Sequence, residues 1–201
     1  MTATSRLEQA LSALAAAHEQ DPKQRRTQAG DLQPVEQVWC DTVSRWVRAL
    51  VPEPSAALVL AAAAQHLERW RHPRSDWPEG RAGYLRWRRH QQQEHARRAA
   101  EILANAGIEQ SLIDRVGALL QKRRLQQDPE AQLLEDAACL AFLELDLSDF
   151  AMRHERQDVL RILRRTWVKM SPHGQQAALQ MKLDGQAREL IEAALAEPAG
   201  D

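Results

Sequence analysis

No stretch of this chain alternates apolar and polar residues with a period of two, so nothing in it reads as a half-buried strand. Apolar residues recur instead at three- and four-residue spacing between helix start and stop signals, which predicts an all-α fold. Ser5 can cap a first amphipathic helix that runs to about His18 and ends near Asp21-Pro22, and residues 21–33 follow as a polar loop. Pro34 at a first turn opens a helix through Val51, with Val38, Val43, Trp46, Val47 and Leu50 as its stripe. Ser55 caps a helix over Ala56–Trp70 that is apolar nearly all round and therefore belongs in the middle of the core. Residues 71–83, with two prolines and two glycines, read as a second principal loop. A long helix from about Tyr84 to Ala106 is closed by Gly107, and Ile108–Arg124 is the next. Asp128 then caps a helix that opens at Pro129 and runs to about His154. Arg156–Lys169, Pro172–Met181 and Asp184–Ala196 complete about nine helices in 201 residues, the size of a single compact domain.

Composition matters here for what it excludes. Hydrophobic residues at 44 % and charged residues at 27 % can build a core, which rules out wholesale disorder and fibrous repeats. The longest apolar run, Ala56 to Ala64, is far short of the roughly 20 residues that span a bilayer, and the N-terminus has no signal-peptide pattern. A cytoplasmic protein without membrane contact is expected. Cys40 and Cys139 are distant and unpaired in spacing, so both read as small buried apolar residues. The formal net charge of −1 conceals one basic segment, in which Arg69, Arg71, Arg74, Arg81, Arg86, Arg88, Arg89, Arg97 and Arg98 face only Asp76, Glu79 and Glu94.

Three ionisable residues fall on apolar faces. His66 sits at four-residue spacing with Ala62 and Trp70, His95 shares a stripe with Ala99, Ile102 and Leu103, and Asp136 lies with Leu133, Cys139, Leu140 and Leu143. A carboxylate buried there must be paired or bound to a metal. Two imidazoles and a carboxylate suit a divalent ion such as Mn, Fe, Zn or Ni, whereas mutual hydrogen bonding would make them purely structural. Glu135 either joins them or faces solvent. The arginines form a second candidate feature, because guanidinium forks match phosphate oxygens and Trp77, Tyr84 and Trp87 offer stacking surfaces. Arg86, Arg89, Arg97 and Arg98 read as the solvated face of the long helix, while Arg69, Arg74, Arg81 and Arg88 flank the loop or the inward stripe. Lys169-Met-Ser171 matches the start of the Lys-Met-Ser-Lys-Ser signature of class I aminoacyl-tRNA synthetases. Pro172 replaces the next lysine and no parallel sheet accompanies it, so Ser171-Pro172 reads as a helix cap and first-turn proline.

Gln65-His-Leu-Glu-Arg-Trp70, Pro73-Arg74, Trp77-Pro78, Gly80-Arg-Ala-Gly-Tyr-Leu-Arg-Trp-Arg88 and His95-Ala96 form a compositionally unusual series. With Lys122, Asp128-Pro-Glu-Ala-Gln132, Leu134-Glu-Asp-Ala137, Phe142-Leu-Glu144, Thr166-Trp167 and Lys169-Met-Ser171, it resembles the domain of unknown function 4202 family over about residues 3–196. Members of that family are sometimes labelled glutamyl-tRNA synthetase. A more distant resemblance is to HD-domain metal phosphohydrolases, through the inward His66, the long loop, the His95 helix closed by Gly107, Ile113-x-x-Val116 and Leu134-Glu-Asp-Ala137. That resemblance implies an HD-like fold with His66, His95 and Asp136 as metal ligands and Glu135 as ligand or base. It departs at Leu67, where those proteins have Asp, near Cys40-Asp41, where they have His, and at Ala138, where many continue with Asp. The expected function is binding of a phosphorylated small molecule or nucleotide, with metal-dependent phosphohydrolysis as its catalytic form. Its ligand-binding residues are expected to be Arg69, Arg74, Trp77, Arg81, Tyr84, Arg88 and Lys122. The alternative is a non-catalytic RNA- or protein-binding module, separable by its steeper loss of affinity with salt.

Overall fold

A computed structural model describes residues 2–27, 30–123, 125 and 127–196. Ten α-helices account for most of them: α1 (Ala3–His18), α2 (Val35–Leu50), α3 (Ala56–Ala63), α4 (Gly80–Asn105), α5 (Gln110–Leu120), α6 (Pro129–Leu145), α7 (Leu147–Arg153), α8 (Arg156–Lys169), α9 (Pro172–Gln180) and α10 (Gly185–Ala196). Local capping chemistry sets many of the ends. Ser55 Oγ accepts from the Leu58 amide, Asp128 from Glu130 and Ala131, and Ser171 Oγ from Gly174. Gly107, at φ +73°, closes α4 while the Ile108 amide reaches back to the Leu103 carbonyl. The first helix starts earlier than expected, with Thr2 rather than Ser5 as its cap.

The predominantly helical fold agrees with the sequence, and several elements and boundaries differ. Residues 24–26 and 32–34 pair as a small antiparallel hairpin, β1 (Gln24–Arg26) and β2 (Leu32–Pro34), inside the expected loop. Helix α3 stops at Ala63 instead of reaching Trp70, and 3-10 turns cover Arg69–Arg71 and Arg74–Asp76. Helix α4 begins at Gly80, four residues before Tyr84. The helix expected to run to His154 breaks at Asp146, where the Arg25 guanidinium donates to the Leu145 carbonyl and the Asp146 carboxylate. Helix α5 stops at Leu120, short of the expected Arg124, because the chain turns left-handed at Lys122; Arg124 itself lies outside the described residues.

Helix α3 is central, as its composition demands: it packs against α1, α2, α5 and α6, and Leu58, Leu60, Ala61 and Ala62 are almost wholly buried. Helix α2 also packs on α6, α4 on α5 and α8 on α10. No helix among the described residues is long and apolar enough to cross a membrane.

Candidate functional site

One pocket of about 230 Å³ opens among α2, the segment that follows α3, the N-terminal half of α4, the end of α5, α6 and α8. Its first wall is the irregular segment that follows α3. Here the backbone turns left-handed at His66 (φ +55°) and Glu68 (φ +54°), a conformation that costs a non-glycine residue about 1 kcal/mol. Tertiary contacts enforce the turn. His18 on α1 bonds the Ala63 carbonyl at 2.9 Å, and the buried Cys40 thiol on α2 donates to the Gln65 carbonyl at 2.7 Å. Burial pushes that thiol well above its ordinary pKa, so it keeps its proton and acts as a donor rather than a passive apolar group. The Arg98 guanidinium on α4 holds Glu68 at 2.9 Å.

His66 is thereby turned toward α2. Its ring stacks on Trp39 with centroids 4.4 Å apart, and Nδ1 lies 3.1 Å from Glu36 Oε2. Arg69 Nη1 lies 3.1 Å from Nδ1 and 3.5 Å from Nε2, straddling the ring edge. A guanidinium can only donate and an ionised carboxylate can only accept, so the arrangement that serves both partners has the proton on Nδ1, donating to Glu36, with Nε2 accepting from Arg69, and we assign that tautomer. Burial first, and then Arg69 and Lys122, hold His66 well below the usual histidine range; burial and His66 do the same to His95. Both rings, 5.9 Å apart, are neutral at neutral pH.

The second wall is α4. Gln91 Nε2 donates to the Arg69 and His72 carbonyls, and Trp87 Nε1 also donates to His72, which clamps the 3-10 turn against the helix. Trp87 carries the Arg69 guanidinium 5.1 Å above its ring, and Tyr84 stands beside it at the mouth. The position of α4 depends on Gly83, because a Cβ there would come within 1.8 Å of the Pro78 carbonyl oxygen.

The remaining walls supply charge. Lys122, itself left-handed at φ +53°, pairs with Glu135, which is 3 % exposed. Burial pushes the Glu135 carboxyl up, but Lys122, with Lys169 and Arg88 behind it, outweighs that push and leaves it below the usual range. Arg88 and Lys169 also line the pocket, and among the described residues neither head group has a hydrogen bond or ion pair. Desolvation and the Arg88 charge push the Lys169 ammonium down. Lys169 and Thr166 are not among the expected site residues; they stand only in the Thr166-Trp167 and Lys169-Met-Ser171 motifs of the family resemblance, and the second reads as a cap. It is one: Ser171 caps α9, Met170 is buried, and Lys169 is left at the pocket.

A family model for a domain of unknown function, DUF4202, matches residues 8–191. The chain belongs to the DUF4202 family. No curated protein and no solved structure matches it.

Of the expected site residues, this DUF4202 chain brings His66, His95, Arg69, Tyr84, Arg88, Lys122 and Glu135 to one pocket. Asp136 is elsewhere. It is fully buried and accepts from the Ser171 amide at 2.8 Å, the Ser171 hydroxyl at 2.5 Å and Gln132 Nε2 at 2.9 Å, with Gly174 packed so closely that a Cβ would lie 2.7 Å from its Cγ. The metal centre expected from His66, His95 and Asp136 is therefore not assembled: Asp136 is committed to the α9 cap, Glu135 to Lys122. Among the described residues no group of three His, Cys, Asp or Glu side chains is arranged to hold a metal ion. Arg74, Trp77 and Arg81 also lie off the pocket. Arg74 bonds the Trp77 and Gly80 carbonyls, Trp77 packs on His90, and Arg81 is exposed.

Proposed function

We propose that the pocket binds a phosphorylated small molecule or nucleotide. One observation carries the reading: four cations, Arg69, Arg88, Lys122 and Lys169, line a pocket whose lining includes a single carboxylate, Glu135, and that carboxylate is committed to Lys122. With both histidines neutral, the lining bears a net positive charge. Two of its cations, Arg88 and Lys169, have no hydrogen-bond or ion-pair partner among the described residues, the arrangement that an anionic ligand with several acceptor oxygens completes. Tyr84 and Trp87 beside Arg69 add apolar and stacking surface for the rest of such a molecule. The proposal is one of binding. The donor set that metal-dependent phosphohydrolysis would need is dispersed, and no step is assigned to it.

The test is calorimetric titration of the purified protein with 5′-AMP and with adenosine, repeated on Arg88→Ala and Lys169→Ala. AMP is expected to bind and adenosine not. Each variant is expected to weaken AMP by about tenfold, the worth of one charge-assisted contact. Equal binding of AMP and adenosine would overturn the reading. So would tight RNA binding that collapses with salt while AMP does not bind, which is the signature of a nucleic-acid interface.

A further inference from the structure

The pocket is not a pure anion cradle. A phosphate dianion can only accept hydrogen bonds, and it would satisfy the guanidinium, ammonium and indole donors around it. The same lining also presents acceptors. Gln91 is 4 % exposed, and because its Nε2 is fixed by the Arg69 and His72 carbonyls, the amide cannot flip; its Oε1 is buried without a partner. His66 gives its Nδ1 proton to Glu36, so Nε2 is the ring nitrogen that accepts, and its one contact is a long one, 3.5 Å from Arg69, that a ligand hydroxyl can share. Trp39 Nε1 and His95 Nε2 are also buried and unpaired, the first able only to donate. Orphaned donors and orphaned acceptors around one pocket call for a ligand group that does both, and a hydroxyl is the smallest that does.

Resting on the phosphate-binding reading above, we infer that the ligand is a hydroxylated organic phosphate, a sugar phosphate or the ribose phosphate of a nucleotide, whose hydroxyls are read by Gln91 and by His66 held in register by Glu36. Glu36 acts through His66 and is a positioning residue. It is 8 % exposed and anchored at its own backbone, where its amide donates to Asp21 Oδ2 at 3.1 Å. The left-handed turn at His66 fits the same purpose, since it places this ring between Trp39 and Arg69 at the cost of backbone strain.

A matched pair of probes isolates the hydroxyls. Ribose 5-phosphate and n-pentyl phosphate have the same charge and carbon count, and only the first can donate to Gln91 and His66. A site built to pair with hydroxyls discriminates against an analogue that lacks them, so ribose 5-phosphate or 5′-AMP is expected to bind at least about tenfold more tightly than pentyl phosphate. The tighter of the two names the source of the hydroxyls. In His66→Asn, which keeps a residue tolerant of positive φ, and in Gln91→Met, the preference is expected to fall to within about threefold; because both residues also hold Arg69 in place, pentyl phosphate affinity is expected to fall too, but by less than ribose 5-phosphate affinity. Glu36→Gln is expected to reduce the preference only partly, because Gln can still hold Nδ1, whereas Glu36→Ala should lose it as His66→Asn does. Equal affinity for the three probes in the wild type overturns the hydroxyl inference and leaves phosphate binding standing. A preference that survives in both His66→Asn and Gln91→Met, with melting temperatures showing both folded, overturns the assignment to these residues. Failure of all three probes to bind removes the phosphate reading itself.

Discussion

Two buried polar clusters are built around adjacent residues of α6, and they are built on opposite terms. At Asp136 every requirement is met: three donors converge on the carboxylate, Ser171 simultaneously caps α9, and Gly174 closes the remaining space. At the pocket, one residue earlier in sequence, Glu135 is met by Lys122, but Arg88, Lys169, Gln91 Oε1, Trp39 Nε1 and His95 Nε2 are left over. A closed set of partners is what architecture requires, and an open set is what a site requires. Burial alone does not separate the two, which is why Asp136 and His66 read alike as inward-facing residues.

The largest expected effect attacks the closed cluster. Asp136→Ala strands the Ser171 donors and loosens the α6 to α9 junction, and should cost about 3 kcal/mol, roughly 10 °C in Tm for a chain of this size. Melting followed by circular dichroism would show it, and ligand affinity in the folded fraction should be unchanged. An affinity loss larger than the loss of folded protein would erase the distinction between the clusters. Next is Gly83→Ala, where collision with the Pro78 carbonyl should cost about 2 kcal/mol and also displace Tyr84, Trp87 and Arg88. Here stability and AMP affinity should fall together. Arg88→Ala against Arg81→Ala is a smaller and sharper comparison: two arginines on one helix, seven residues apart, of which only the first lines the pocket. The first should lose about tenfold in AMP affinity and the second essentially nothing, with neither changing Tm by more than about 2 °C.

The smallest effect is a pH dependence. His18, His66 and His95 are all held below the ordinary histidine pKa, chiefly by burial. Between their folded values and about 6.5 the unfolded chain binds more protons than the folded one, so this contribution to stability is lost as pH drops through that window and is level below it. Glu36, raised by burial, works in the opposite direction just above the ordinary carboxylate range. Wild-type Tm should therefore decline from pH 7 to pH 5, and His66→Asn should flatten part of the decline. A slope identical in both would mean that folding does not shift the His66 pKa.

How much of this was legible follows the reach of the interactions. Ser55, Gly107, Asp128-Pro129 and Ser171-Pro172 announce themselves because a cap acts within three residues of itself. The end of α3 was illegible, since no glycine or proline marks it. The turn at His66 is imposed by His18, Cys40, Glu36 and Arg98 from three other helices. The hairpin was hidden for a related reason. Its strands are only three residues long, and one of them is tied to Asp146, 121 residues away from Arg25. The opposite error occurred at Gly80 and Gly83. Glycines that read as loop signals begin α4, and Gly83 is there because a carbonyl passes too close for any side chain. Of the site, the basic and aromatic character of residues 69–88 was legible. Which of its arginines turn inward was not, because the arrival of Lys122, Glu135 and Lys169 from α5, α6 and α8 decides where the inside is.

The three left-handed residues, His66, Glu68 and Lys122, have a consequence for how this fold can change. Glycine would relieve each turn by about 1 kcal/mol. Yet removing Lys122 strands a nearly buried Glu135, removing Glu68 frees Arg98 and Arg71 from their shared anchor, and removing His66 leaves Glu36 and Trp39 facing each other across a gap. Each downhill step for the backbone is uphill for a neighbour, so the strain is held in place from outside, like a latch whose spring cannot relax until a second part is taken out first.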